Sequence, residues 1–249
     1  MSKAAIVTGA SKGIGYACAA RLGAAGYSVL ICARNGEEVE RAAEELGKGG
    51  AQVVGIAADV GDPTQCEAIV QRCVDEFGRV DAVVNNAGIW APSDFLEITA
   101  ESWDETLDID LRGPVLLSVA AAKRMRDQGG GSIVHISSTA GLAAQAGLAA
   151  YSAAKAGLIS LTQSMAVDLA PYGIVTNCVA PGWTRTPLSE EYIERVSDEE
   201  IAGFIPLGRV VESSEIADVV VFLCSEGAKA TLGQTICVDG GMLSREPSP

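Results

Sequence analysis

The sequence predicts a doubly wound α/β fold, one parallel sheet with helices on both faces. Two observations carry this. Seven short apolar runs rich in β-branched residues recur along the chain, and helical patterns separate them in regular alternation. The runs are apolar throughout instead of alternating with polar residues, as strands covered on both faces are. Strict alternation of strand and helix implies right-handed βαβ crossovers and hence a parallel sheet. At 249 residues, without internal repeat or Pro/Ser-rich linker, residues 1–249 form one domain on this reading.

In chain order the strand-like runs are AAIV (4–7), SVLICA (28–33), QVVGIA (52–57), VDAVVN (80–85), SIVHIS (132–137), GIVTNCVA (173–180) and QTICVD (234–239). Helical patterns fall at about 14–25, 37–46 and 64–77, then at 101–127 and 149–170, and last at 213–224. The sizeable irregular insertion spans about 182–211 and holds a charged, partly amphipathic piece, SEEYIERVSDEEIAGF. At the carboxyl end of a strand in this architecture such an excursion is either a substrate lid or an ordinary surface helix pair. The tail SREPSP (244–249) has no core-forming residues and is expected to fray.

Composition narrows the function classes. The chain carries 18 basic and 32 acidic residues, a net charge of −14, which opposes nucleic acid and anionic membrane as partners. Hydrophobic residues make up 48% and aromatics only 5%, so the core is built from Ala, Val, Ile and Leu. The seven cysteines are scattered, odd in number and mostly in apolar contexts, which fits small core residues in a reducing cytoplasm rather than a disulfide framework. The N-terminal apolar run is too brief for a signal peptide and no run approaches a membrane span. His135 is the single histidine, mid-strand and without clustered acids or thiols, so no metal site is expected. A G-x-S-x-G elbow is absent, which removes the serine-hydrolase reading.

TGASKGIG (8–15) follows the first strand and opens the first helix, with Gly9, Gly13 and Gly15 spaced G-x-x-x-G-x-G. Glycines at this junction let the backbone turn tightly and approach a pyrophosphate, whose charge the helix N-terminus stabilises. An NAD-preferring enzyme usually ends its second strand with an acid that bonds the ribose 2′-hydroxyl. Here the place reads CARN: Ala33 offers no carboxylate and Arg34 follows. With Lys12 inside the glycine loop, two cations converge where a 2′-phosphate would sit, so NADP(H) is expected over NAD(H).

These residues belong to a wider set. TGASKGIG, NNAG (85–88), the serines of ISS (137 and 138), YSAAK (151–155), NCVAPG (177–182), IPLGR (205–209) and VDGG (238–241) stand in the order and spacing of the short-chain dehydrogenase/reductases, a family that nearly the whole chain resembles. The resemblance implies a Rossmann-type sheet of about seven strands and usually a homotetramer. It counts Ser11, Ile14, Val60, Asn86, Ala87 and Gly88 among the cofactor contacts and makes Asp59 a partner for the adenine ring. It places Pro181, Gly182, Thr184 and Thr186 beside the nicotinamide carboxamide, and has Lys155 bond the nicotinamide ribose. It also selects Ser138 over Ser137 as the catalytic hydroxyl; periodicity says only that the two point to opposite faces.

The chemistry explains the residue types. Reducing a ketone needs a hydride at carbon and a proton at oxygen; the cofactor supplies the first and the protein must supply the second. A tyrosine ordinarily ionises near pH 10, too high for exchange near neutrality. Lys155 follows Tyr151 by one helical turn, on the same face. A cation about 5 Å away at an effective dielectric near 20 favours a tyrosinate by roughly 3 kcal/mol, about two pKa units. Ser138 would hydrogen-bond the substrate oxygen and hold it against the phenol.

The sequence departs from the family in two places. Where relatives carry an asparagine in N-x-x-G, holding a water that connects the lysine to solvent, DIDLRG (108–113) carries Asp110. An aspartate could hold that water or shuttle protons itself, and if ionised near Lys155 would shift the pH optimum to the alkaline side; harmless drift is the other reading. Second, the chain looks most like the 3-oxoacyl-(acyl-carrier-protein) reductases, which present basic residues to an acidic carrier, yet the comparable places hold Gln128, Gly129 and Tyr172. The expected substrate wall, 138–151 with Trp90 and Trp183 near the two ends of the cleft, suits an uncharged, fairly hydrophobic ketone or secondary alcohol. A 3-oxoacyl-thioester reductase is the alternative, and a nucleotide-binding regulator without turnover a further one.

Overall fold

The computed structural model describes residues 2–244; of the tail expected to fray, 244–249, residues 245–249 lie outside the described residues. Strand β1 (Ala4–Thr8) runs through the glycine loop into helix α1 (Gly13–Ala24), followed by β2 (Ser28–Ala33), α2 (Gly36–Gly47), β3 (Val53–Ala57), α3 (Pro63–Phe77) and β4 (Ala82–Asn85). The second half contains α4 (Ala100–Leu107), α5 (Gly113–Gln128), β5 (Gly131–Ile136), α6 (Ala149–Leu169) and β6 (Ile174–Pro181). A short ribbon, β7 (Thr184–Arg185) with β8 (Val211–Glu212), brackets helices α7 (Glu190–Ile193) and α8 (Asp198–Phe204). Helix α9 (Ser213–Leu223) and strand β9 (Thr235–Val238) close the chain.

The main sheet has seven strands in the order β3-β2-β1-β4-β5-β6-β9, all paired in parallel. The order reverses between β1 and β4, so the connections leaving those two strands diverge to opposite faces and open a crevice at their carboxyl ends, where ligands bind in such sheets. The strands reach this arrangement because both faces are apolar. On one side Val7, Ile31, Val84 and Ile136 pack with Leu22, Val39, Ile216 and Leu223 of α1, α2 and α9. On the other, Ile6, Leu30, Val83 and Ile133 pack with Ile69, Leu117 and Met125 of α3 and α5. The helix starts follow capping chemistry: Asn35 accepts from the backbone N–H of Glu38, and Asp62 from that of Thr64 with Pro63 at the first turn.

Two features differ from the sequence reading. The single helix expected over 101–127 is interrupted by a π turn at Asp108–Arg112, with Asp110 turned inward. One extra residue in a turn rotates the following side chains, and such bulges gather at functional sites. The 182–211 stretch, irregular by sequence, is tied at its base by the Thr184↔Val211 pairing and by a bond from the Val211 N–H to the Trp183 carbonyl of 2.8 Å. It carries a small core of its own, Ile193, Ile201, Ile205 and Val210 with Trp183 and Phe204. Six of the seven cysteines are buried free thiols, and Cys237 is exposed. No helix among the described residues is long and apolar enough to cross a membrane.

Candidate active site

A cleft of about 1030 Å³ lies at the carboxyl ends of β1, β4, β5 and β6, ample for a dinucleotide with a small substrate beside it. Its floor is the glycine loop. Gly9 has φ of +62°, and a Cβ there would sit 2.8 Å from the Ala87 Cα. At Gly15 an added Cβ would fall 2.5 Å from both the Asn86 amide nitrogen and the Gly9 carbonyl oxygen. Both positions therefore exclude any side chain, the first also on backbone grounds. The loop is stapled to β4 by hydrogen bonds: Asn86 Nδ2 donates to the carbonyls of Thr8 (2.9 Å) and Gly9 (3.0 Å), and the N–H groups of Asn86 and Ala87 donate to Thr8 Oγ1. A bare backbone cradle at the N-terminus of α1, too tight for any Cβ, fits a pyrophosphate.

The sequence-derived cofactor residues come together here. Ser11, Lys12, Gly13, Ile14, Arg34, Asp59, Val60, Asn86, Ala87 and Gly88 line the cleft on one side of the sheet's switch point. Pro181, Gly182, Thr184 and Thr186 line it on the other, with Ser138, Tyr151 and Lys155 between. The segment after β6 crosses to the glycine loop, so that Thr186 Cβ lies 3.5 Å from where a Gly13 Cβ would be. Asp59 accepts the Gly61 N–H on Oδ1 at 2.8 Å, which fixes its carboxylate. Gly15 and Asp110 do not line the cleft and are buried beneath it.

Helix α6 presents Tyr151 and Lys155 on one face, as their four-residue spacing requires; Lys155 Nζ lies 5.3 Å from the Tyr151 ring centroid. The ammonium is buried, donates to the Ile136 carbonyl at 3.2 Å and pairs with Asp110 Oδ2 at 3.0 Å. Asp110 Oδ1 in turn accepts the Ile89 N–H at 2.8 Å. Burial opposes the Lys155 charge, but the adjacent Asp110 carboxylate and the Tyr151 phenol outweigh it, and the lysine is held above its ordinary value. Gly88 covers this pair on the cleft side: a Cβ there would lie 2.9 Å from Asp110 Oδ2.

The two serines after β5 divide cleanly. Ser137 is buried and spends its proton on the Lys155 carbonyl, 2.8 Å away. Ser138 accepts the Ala140 N–H at 3.1 Å, which leaves its own proton available to an acceptor in the cleft.

Sequence reasoning did not find several lining groups. Glu38, in the first turn of α2, lies 3.7 Å from Lys12 Nζ and accepts from Ser11 Oγ at 3.4 Å, so an acid stands among the two cations. Its signal was available, because a residue three past the Asn35 cap faces the loop before it. Tyr192 of α7 also lines the cleft. Its ring centroid is 5.8 Å from that of Trp90 and 5.2 Å from that of Trp183. The two tryptophans thus share one wall instead of marking opposite ends of the cleft. Among the described residues no group of three potential metal ligands occurs.

Comparison with known proteins agrees with this geometry. A family model described as "Enoyl-(Acyl carrier protein) reductase" matches residues 9–243. The 3-oxoacyl-(acyl-carrier-protein) reductase of Staphylococcus aureus is 37% identical over 243 residues, 97% of this chain and 98% of its own. The L-rhamnose 1-dehydrogenase (NAD(P)(+)) of Azotobacter vinelandii is 39% identical over 249 aligned residues, covering 97% of each chain. A crystal structure of a tryptophan variant of actinorhodin polyketide ketoreductase with NADPH superposes with a TM-score of 0.91 at 37% identity over 97% of both chains. With the glycine cradle, the Tyr151–Lys155 face and a match over nearly its whole length, the chain belongs to the short-chain dehydrogenase/reductase family, nicotinamide-dependent oxidoreductases acting on CH–OH and ketone groups.

Proposed function

We propose that this protein is an NADP(H)-preferring carbonyl reductase or alcohol dehydrogenase acting on an uncharged, fairly hydrophobic ketone or secondary alcohol. The observation that carries the reading is the position of Lys155 Nζ, 5.3 Å from the Tyr151 ring inside the cleft that the glycine loop floors. NADPH, held along Gly9, Ser11, Gly13, Ile14, Asp59, Val60, Ala87 and Gly88, would supply hydride to the carbonyl carbon. Ser138 donates its free proton as a hydrogen bond to the substrate oxygen and sets it against Tyr151. Tyr151 Oη delivers the proton in reduction and takes it in oxidation, and the Lys155 ammonium stabilises the phenolate formed in between.

Asp110 has no access to substrate from its buried place; its carboxylate pairs with Lys155 and holds the Ile89 N–H. It is therefore a positioning residue in this reading, not a proton carrier that meets the ketone. The 182–211 segment is the lid of a single domain, since Thr186 reaches the glycine loop and Tyr192 faces the substrate end. Lys12 and Arg34 favour a 2′-phosphate; Glu38 opposes it and makes the preference moderate rather than absolute.

The name of the Staphylococcus aureus relative raises the 3-oxoacyl thioester as a second substrate class. Carrier docking has little support, because net charge −14 repels an acidic carrier and Gln128 binds the Val80 backbone instead of facing a partner. The exposed apolar residues Val119 of α5, Val167 of α6 and Phe222 of α9 suit burial between copies in a cytoplasmic homotetramer.

The test is Tyr151→Phe. NADPH oxidation against a panel of ketones, diketones and acetoacetyl thioesters should fall at least a thousandfold while NADPH binding, measured by fluorescence, stays within about twofold. Substantial residual turnover would overturn the assignment, and a wild type that binds NADPH yet reduces nothing would make it a nucleotide-binding regulator.

A further inference from the structure

The substrate end of the cleft is built unlike its cofactor end. Trp90 follows β4, Trp183 follows β6 and Tyr192 comes from α7, yet their rings meet edge to face, with interplanar angles of 78° for Trp90–Tyr192 and 68° for Trp183–Tyr192. Phe204 of α8 continues the row behind Trp183 at 4.7 Å. With only 5% aromatic residues in the chain, four of twelve gathered at one place is a concentration, not a sample of an aromatic-rich core. Tyr192 nevertheless remains 48% exposed, although two large rings flank it. The charged side chains at this end, Glu191 and Arg195, pair with each other, so the wall offers no net charge to a ligand. Pro92, Leu148 and Leu188 add aliphatic surface to the lining of the same cleft.

Edge-to-face rings present alternating positive edges and negative faces, and another π-system joins such an array better than an alkyl group of equal area. We infer that Tyr192 determines specificity, and that the Trp90–Tyr192–Trp183 wall selects ketones bearing an aromatic ring beside the carbonyl. The inference rests on the reductase reading and narrows its substrate class. It takes Tyr192 as the ring whose exposed surface the ligand covers, with the tryptophans fixing its orientation.

Acetophenone and cyclohexyl methyl ketone test it, since they match in size and differ in the π-system. Binding is measured by ligand-observed NMR in the Tyr151→Phe background with NADPH bound, where the ketone stays unreduced. Acetophenone should bind about fivefold more tightly than its saturated counterpart. Adding Tyr192→Ala should abolish that difference, Tyr192→Phe should keep it, and Tyr192→Leu, apolar without a ring, should lose it. Equal affinity for the two ketones, no binding of either, or a preference that survives Tyr192→Ala would each overturn the inference. None of these outcomes touches the reductase reading, which stands or falls on turnover in the wild type against the wider panel.

Discussion

The carboxylate of Asp110 and the ammonium of Lys155 lie 3.0 Å apart with both side chains almost wholly withdrawn from solvent. Neither charge is tolerable there alone. Removing one partner of a buried pair leaves the other uncompensated, at a cost of about 3–5 kcal/mol. Asp110→Ala should therefore lower unfolding free energy by roughly that amount and free the Ile89 N–H as well. Because Lys155 is held above its ordinary value, its share of this stability is complete at neutral pH and fades only as the medium becomes alkaline enough to deprotonate the folded lysine. Denaturant melts at pH 6 and pH 9 should give the same loss. Asp110→Asn keeps the volume and the acceptor for Ile89 but removes the counter-charge. Lys155 then loses the largest of the influences that hold it above its ordinary value while its burial remains, so the acidic limb of the alcohol-oxidation profile should move from its wild-type position. An unmoved limb would show that the carboxylate does not modulate proton transfer.

Ser137 and Ser138 should separate in kinetics as they do in geometry. Ser138→Ala removes a donor aimed into the cleft and should lower kcat by about a hundredfold or more with little change in melting temperature. Ser137→Ala removes the bond to the Lys155 carbonyl and should cost about 1 kcal/mol of stability with a much smaller effect on kcat. The reverse pattern would exchange their roles.

Glu38 should decide how strongly the cofactors are distinguished. It holds Lys12 at 3.7 Å, and a 2′-phosphate must compete with it for that cation. Glu38→Gln should tighten 2′,5′-ADP binding severalfold and leave 5′-AMP unchanged, whereas Lys12→Ala should weaken 2′,5′-ADP alone. Calorimetry with these fragments reads the effect without turnover. A Glu38→Gln variant with unaltered 2′,5′-ADP affinity would remove the acid from the account.

The parts of this molecule that local sequence rules govern were legible before the structure. Strands buried on both faces announce themselves as unbroken apolar runs, and the glycine loop reads directly because its cause is local, a backbone approached too closely for any Cβ. The Tyr151–Lys155 face follows from helical spacing. What stayed hidden depends on distant pairs or on small changes in winding. The π turn that carries Asp110 inward differs from an α turn by one residue and leaves no hydrophobic signature. Glu38 meets Lys12 across 26 positions of sequence, and Tyr192 joins Trp90 across 102. The sequence read Trp90 and Trp183 as separate landmarks because nothing local links them; the bridging ring lies in the segment whose own core was the least patterned.

His135 supplies the last prediction, one about stability. It lies fully buried in β5 with Nδ1 3.2 Å from the amide nitrogen of Asn85, which also donates to Ser118. As Asn85 is the donor, Nδ1 accepts and Nε2 carries the proton; Nε2 has no partner. A second proton would have to go on Nδ1, which faces the Asn85 donor, and burial together with the nearby Lys155 charge pushes the imidazole down to about 3. The unfolded chain protonates near pH 6.5 while the native protein does not, so the unfolded state binds the extra proton and stability falls as the pH drops from about 6.5 toward 3. The slope is about 1.4 kcal/mol per pH unit, or roughly 2 kcal/mol by pH 5. His135→Asn places an amide oxygen near the Nδ1 position, preserves the bond from Asn85 and lacks the titration. Measured by urea unfolding, its stability relative to wild type should improve by about 2 kcal/mol between pH 8 and pH 5, the carboxylates contributing equally to both. If the difference between the two proteins is the same at both pH values, the imidazole is not buried neutral in the native state.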